Sequence, residues 1–222
     1  MTEQYERYQE QPDQIPNDYK VRKVANNFQH VFSKCHKSRW SYHSIEEWYY
    51  AAKLELDFTV ERFTPQPTQY GAHGNRYIPD FFFLKTDGTR FVVEVKPKKN
   101  VAKFESKYKP AMEAKARCEN FKFLIIENEE IRAGAQLSKN AIYISRVLNG
   151  SSGLITDEEE SQITRMLLVH GNCQYTDIIA KDNRVEKRLI EVALWRLVHR
   201  GRVAMNLRDQ PISYDSSIRL KS

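Results

Sequence analysis

The sequence predicts an α/β protein in two parts: a core of strands and helices, then a C-terminal unit of three helices closed by a two-stranded ribbon. Three observations predict it. First, "DFFFLKTDGTRFVVEVK" (Asp80–Lys96) reads as two β-strands around Asp87-Gly88, a strong hairpin-turn signal. Second, a helical stretch, "KYKPAMEAKARCEN", leads into a short apolar strand at Phe121–Ile126, so helix and strand alternate with the hairpin. Third, the strand signals stop near residue 155 and helical periodicity takes over.

In chain order, residues 1–20 are rich in Gln, Asp and Glu, contain Pro12 and Pro16, and are expected to be a flexible tail. Ser44 with Glu47 makes a capping-box pattern that opens a helix, and Ile45, Trp48, Tyr49, Ala52 and Leu56 keep its apolar stripe. The strand "TVERFTPQP" follows, then the Gly-containing turn "YGAHGN", then the hairpin. Residues 131–155 read as a connecting region, with "NGSSG" as the domain boundary. Thr156 and Glu159 give a second capping box for a helix reaching about Val169. "TDIIAK" is a short helix, and "NRVEKRLIEVALWRLVHR" a longer one closed by Gly201. "RVAMNL" and "SIRL" then read as two strands, which is the order of a winged helix, a helix-turn-helix variant. The expected domains are a core at 21–150 and a winged helix at 156–222.

Of the 222 residues 41% are hydrophobic, enough for a packed core. The net charge of +6 favours an anionic partner. Its placement says more: Lys85–Arg117 carries ten Lys and Arg against four Asp and Glu, and Ser161–Ser222 eleven against six, with the acidic run Asp157–Glu160 between them. Two basic segments suggest two surfaces facing a polyanion. Cys35, Cys118 and Cys173 are widely spaced, which indicates neither a zinc cluster nor a disulfide framework. With no apolar run of membrane-spanning length and a polar start, a soluble protein of the cytoplasm is expected.

The hairpin raises the chemical question. Glu94 and Lys96 lie on one face of an apolar strand, Val93 and Val95 on the other, and Asp80 stands at the start of the neighbouring strand. Charged groups are seldom buried unless paired or bound to metal. Asp80, Glu94 and Lys96 are therefore either a salt-bridge ladder or a metal site for phosphodiester hydrolysis. In the second case carboxylates bind Mg²⁺, and a lysine orients or polarises the nucleophile. Glu47, from the preceding helix, is the natural further carboxylate, although Glu46 adjoins it.

"IPDF…VVEVK" resembles the PD-(D/E)xK nuclease motif, and the wider chain is similar to the TnsA endonuclease family, through "VRKV", "FSKCHKSRWSYHSIEE", "LELDFTVERFTPQP" and "YIPDF…VEVK" in that order. The resemblance spans roughly residues 21–222. It implies a restriction-endonuclease-like core with a mixed sheet and a following winged helix. It also implies catalytic Glu47, Asp80, Glu94 and Lys96, with Glu47, Asp80 and Glu94 holding Mg²⁺, for which Mn²⁺ substitutes. The activity implied is cutting of the 5′ strands at transposon ends, on double-stranded DNA, beside a TnsB-type transposase and a TnsC-type ATPase regulator. Rival accounts are a stand-alone restriction or repair nuclease with the same core, and a DNA-binding adaptor with a degenerate nuclease fold.

Other residues take lesser roles. Lys98, Lys99 and Lys103 trail the strand and are expected to contact phosphates. Gln66 is expected to position rather than catalyse, and His43 to support the Ser44 cap. His73 reads as a loop histidine able to touch DNA or metal. Leu194, Trp195 and Val198 read as core, while Arg184, Lys187 and Arg188 could bind phosphate or merely solubilise their helix. Substitution of Asp80 or Lys96 is expected to leave the fold intact.

Overall fold

The computed structural model describes residues 28–35, 39–67, 70–72, 75–180 and 184–221. The expected tail at 1–20, the "VRKV" segment and His73 lie outside these residues. The chain divides into two compact units. The first holds Lys34–Ala51 and Thr59–Ala133 together with the chain up to His30; the second holds Val31–Ser33, Ala52–Phe58 and everything from Gly134. Among the described residues no helix is long and apolar enough to cross a membrane.

In the first unit, β1 (Phe28–Val31) and β2 (Arg39–Tyr42) pair and lead to α1 (Ile45–Leu56), which starts in this unit and ends in the second. β3 (Val60–Pro65) then enters a four-stranded sheet, and β4 (Tyr70–Ala72) pairs with β5 (Asn75–Tyr77). β6 (Phe81–Lys85) and β7 (Arg90–Lys96) form the hairpin, and α2 (Lys98–Glu119) crosses over to β8 (Lys122–Glu127). The sheet order is β3-β6-β7-β8; β7 and β8 are parallel and the other neighbours antiparallel, which makes the sheet mixed. A parallel neighbour requires a long crossover, and α2 supplies it. Phe104, Met112 and Ala116 of α2 bury against Phe82, Leu84 and Val92 on one sheet face. α2 is longer than the sequence suggests and keeps Pro110 inside it.

Residues 131–155 are not a connector. α3 (Asn128–Ala133) and α4 (Ala135–Asn149) occupy most of them, and the two units part at Ala133–Gly134 rather than at "NGSSG". That segment is a tied-down turn. Ser151 is buried, its hydroxyl accepts from Arg188 at 2.8 Å, and Arg196 donates to the carbonyls of Ser151 and Leu154 at 3.3 and 2.8 Å.

The second unit continues with α5 (Asp157–His170), β9 (Asn172–Gln174), α6 (Tyr175–Ile179), α7 (Arg184–His199), β10 (Val203–Met205) and β11 (Ser217–Leu220). The ribbon gains a third strand, since β9 pairs antiparallel with β11, giving the order β10-β11-β9. Thr156 precedes α5 as expected but makes no capping hydrogen bond; its hydroxyl accepts from Arg196 at 2.6 Å and donates to Glu160 at 3.1 Å. The core gathers Ile144, Ile163, Leu167, Leu194, Trp195, Val198 and Ile218, so the apolar residues of α7 pack inward. Buried Glu55 accepts from Ser33 N–H at 3.1 Å and meets His199 Nε2 at 2.8 Å, tying three chain segments of this unit together.

Gly201 ends α7 with φ +68°, and a Cβ there would lie 2.7 Å from Phe58 Cγ. Left-handed backbone is costly for any residue with a Cβ, so Gly201→Ala is expected to lower stability by about 2 kcal/mol. A denaturant midpoint equal to wild type would contradict this.

Candidate functional site

The hairpin turn fixes the site's platform. Asp87 Oδ1 accepts Thr89 N–H at 2.8 Å, Gly88 takes φ +82°, and Lys85 N–H bonds the Thr89 carbonyl at 2.9 Å. This sets the register Phe81↔Val93 and Phe82↔Val92, which alternation then carries along both strands. Val93 and Val95 are buried on one face. Glu94 and Lys96 share the other, and Asp80 lies one residue before Phe81, at the same end.

There the three meet. Asp80 Oδ2 accepts Val95 N–H at 2.7 Å and lies 4.0 Å from Lys96 Nζ. Lys96 also pairs directly with Glu94 Oε1, and its ammonium stands 5.5 Å from the Phe104 ring centroid. Glu94 is 2% exposed on the β7 backbone between buried valines, so its carboxylate stays where the strand puts it.

Glu47 answers to its helix first. Its N–H bonds Ser44 Oγ at 3.1 Å, while its carboxylate accepts from Ser44 Oγ at 3.0 Å and from His43 N–H at 3.0 Å. The capping pattern therefore forms, with the side chain reaching the His43 backbone N–H. The charges of Lys96 and Glu94 still act on Glu47, and Glu47 acts on Asp80. Glu46 is committed elsewhere: it is buried and Arg132 Nε donates to it at 2.6 Å. Between the adjacent pair, Glu47 is thus the one electrostatically joined to Asp80, Glu94 and Lys96.

Tyr77 is the participant that sequence reasoning missed. It is buried at the end of β5, with its ring 5.0 Å from Tyr108 and 5.5 Å from Phe104, and its hydroxyl donates to Glu94 Oε2. The available signal was an aromatic three residues ahead of Asp80, followed by an aromatic pair four apart on the next helix. Burial and the Glu94 charge hold its phenol far above the usual tyrosine range, so it remains a hydrogen-bond donor. Gln66 acts through its backbone: at φ +47° its N–H donates to the Asp80 carbonyl at 2.8 Å. A non-glycine residue held there is a strained position of the kind that recurs at functional sites.

Burial pushes Asp80 up to about 7, with Lys96 opposing the shift and Glu47 adding to it. Burial, then the Asp80 charge, pushes Glu94 up to about 8. Burial also raises Glu47. Burial alone would lower Lys96, but Asp80 and Glu94 outweigh it and hold the ammonium above its usual value. The folded chain thus keeps protons on Asp80 and Glu94 that the unfolded chain releases near pH 4, and stability falls as pH rises from there to about 8. Asp80→Asn removes one of the crowded charges. In EDTA at pH 8.5 it is expected to be more stable than wild type by about 2 kcal/mol, a gap that closes below pH 5. Thermal unfolding across pH checks this, and parallel curves would contradict it.

The donors suit a hard divalent cation, being carboxylate oxygens crowded enough to resist ionisation. They do not stand as a formed cage: among the described residues no group of three or more His, Cys, Asp or Glu is arranged to hold a metal ion. Glu94 is engaged by Lys96 and Tyr77, and Glu47 by its own helix start. Lys98, Lys99 and Lys103 are all exposed on the first turns of α2; the Lys98 ammonium lies 3.9 Å from Glu127, while Lys99 and Lys103 have no ion pair among the described residues. Lys187 is exposed on α7, Arg188 is spent on Glu191 and Ser151, and the Arg184 side chain lies outside the described residues. No family model matches the chain, and no curated protein matches it.

Proposed function

We propose that this protein is a Mg²⁺-dependent DNA endonuclease of the TnsA type, cutting 5′ strands at transposon ends as one subunit of a heteromeric transposase. One observation carries the reading: Asp80, Glu94 and Lys96 converge at one end of the β6–β7 hairpin, with Glu47 electrostatically joined to them. A solvated salt-bridge ladder would leave its carboxylates exposed and readily ionised, whereas here Glu94 is buried and both Asp80 and Glu94 are held toward protonation. Support for the PD-(D/E)xK reading of the core comes from the mixed sheet with α2 crossing over. Support for a winged helix comes from three helices followed by the antiparallel β10–β11 pair.

Glu47, Asp80 and Glu94 are the residues that would hold Mg²⁺. When bound, the ion supplies positive charge against the phosphate and lowers the pKa of water. The chain's own groups do the rest. Val95 N–H fixes the Asp80 carboxylate, and Tyr77 fixes one oxygen of Glu94. Lys96, held above its usual pKa, stays cationic at neutral pH, where it orients the attacking water and offsets charge building on the scissile phosphate. Exposed Lys98, Lys99 and Lys103 carry the DNA backbone beside the site.

The test is strand-specific cleavage of end-labelled transposon-end duplex with Mg²⁺, with and without a TnsB-type transposase and a TnsC-type ATPase. Partner-dependent 5′-strand cutting supports the proposal. Cutting by the chain alone would favour a restriction or repair nuclease, and no cutting under any condition would favour an adaptor.

A further inference from the structure

The C-terminal unit carries a concavity lined by charged side chains. A hollow of about 690 Å³ is lined by Arg165 of α5, Arg200 and Arg202 in the turn after α7, and Lys221 just past β11. Two carboxylates, Asp157 and Glu160, also face it. Their engagements decide which charges are free. Arg200 donates to Glu160 at 2.6 Å, so that pair cancels, whereas Asp157 is exposed, has no ion pair among the described residues and leaves one negative charge against the cations. Lys221 stands 3.1 Å from the Phe58 ring centroid, an arrangement that orients an ammonium without neutralising it. Arg165 and Arg202 are exposed and have no carboxylate or ring partner among the described residues. The hydroxyls of Ser161 and Thr164 are turned back to the Asp157 and Glu160 carbonyls at 2.8 and 2.7 Å, so they offer the hollow lone pairs rather than free donors.

α7 is the helix that a winged-helix reading would lay against DNA. Among the described side chains, its arginines are consumed within the unit. Arg188 bonds Glu191 and Ser151, Arg196 bonds Thr156, Ser151 and Leu154, and most of its remaining C-terminal half is core. Lys187 is exposed but lines a separate, tyrosine-rich hollow with Glu191. Arg165 and Arg202 therefore bring two uncancelled cations to the α5–β11 hollow, while Lys139, Arg146, Arg208 and Arg219 are exposed elsewhere on this unit and do not line it. Guanidinium groups from different elements, open to solvent and aimed into one concavity, suit phosphate oxygens.

We infer that this hollow, and not the exposed face of α7, is where the C-terminal unit grips the phosphate backbone of duplex DNA, through Arg165 and Arg202 with Lys221 beside them. The inference rests on the proposal that the substrate is DNA. It does not depend on the metal site.

The test uses the full chain in EDTA, so that no cutting occurs, and follows anisotropy of a labelled random-sequence duplex over a range of salt. Each lost phosphate contact lowers the slope of log affinity against log salt by about one, so the Arg165→Ala, Arg202→Ala double variant is expected to lower it by about two and to bind roughly tenfold or more weakly at 0.1 M salt. Arg165→Lys with Arg202→Lys should keep the slope, and Lys187→Ala should leave it unchanged. Unfolding curves of the variants should match wild type, because both arginines are exposed. If the intact chain binds duplex but the double alanine variant keeps the full slope, the hollow is not the grip and the inference fails alone. If the intact chain has no affinity for duplex, the DNA reading fails and takes the inference with it.

Discussion

Asp80→Ala is expected to reduce Mg²⁺-dependent strand cutting by roughly a thousandfold or more while leaving a folded protein. The expectation follows from where Asp80 stands. It precedes β6 by one residue, its Oδ2 is fixed by Val95 N–H, and its main chain is held by Gln66, so backbone on two other strands' ends aims this carboxylate. Losing it removes one of the three proposed ligands and the group that faces both Lys96 and Glu47. The fold should survive, because a crowded charge is removed rather than apolar mass from the core. Side-by-side cleavage and far-UV melting would check it, and a variant cutting at the wild-type rate would end the nuclease reading.

Lys96→Ala is expected to cost more than rate. Cutting should fall by roughly a hundredfold to a thousandfold, as when a preorganised charge facing the transition state is removed. The sequence alone suggests that the fold is indifferent to this change. The structure argues otherwise, since Lys96 is the cation against which buried Glu94 is set, with Asp80 4.0 Å away. Removing one partner of a buried pair leaves the other uncompensated, so about 3 kcal/mol of stability should go at pH 8 in EDTA. The loss should shrink on acidification, as Glu94 and Asp80 take up protons. Equal stability to wild type at pH 8 would show that Glu94 finds another partner.

The hairpin was legible because two independent signals agree there: runs of β-branched and aromatic residues, and Asp87-Gly88 between them. Agreement between levels is what makes a segment readable. Glu94 and Lys96 were legible as anomalies on it. Tyr77 was not, because its bond to Glu94 joins β5 to β7, and no local pattern encodes that contact. Glu47 shows the opposite limit: the capping pattern that marks it in the sequence is also what holds its carboxylate against His43.

Elsewhere tertiary packing overrode local signals. Pro110 makes the helix seem to begin near Lys107, yet Phe104, Tyr108, Met112 and Ala116 repeat every four residues and hold one continuous α2 against the sheet. The α4 segment reads in sequence as a connector although Leu137, Ala141, Ile144 and Leu148 form a helical stripe. Its buried Ser138, Asn140 and Ser145 disguise that face. Asn140 is satisfied by the carbonyls of Leu207 and Gln210 at 2.9 and 2.8 Å, partners more than sixty residues away. β9 has three residues and no pattern of its own, and only pairing with β11 makes it a strand.

Glu47, Asp80 and Glu94 are the proposed divalent-cation site. Calorimetric titration of the metal-free full chain with Mn²⁺ at pH 8, beside Asp80→Asn, tests it without requiring DNA or partners. Saturable binding by wild type is expected, with release of protons from the crowded carboxylates, and loss of that binding in the variant. Identical titrations for the two proteins, or no binding by either, would contradict it.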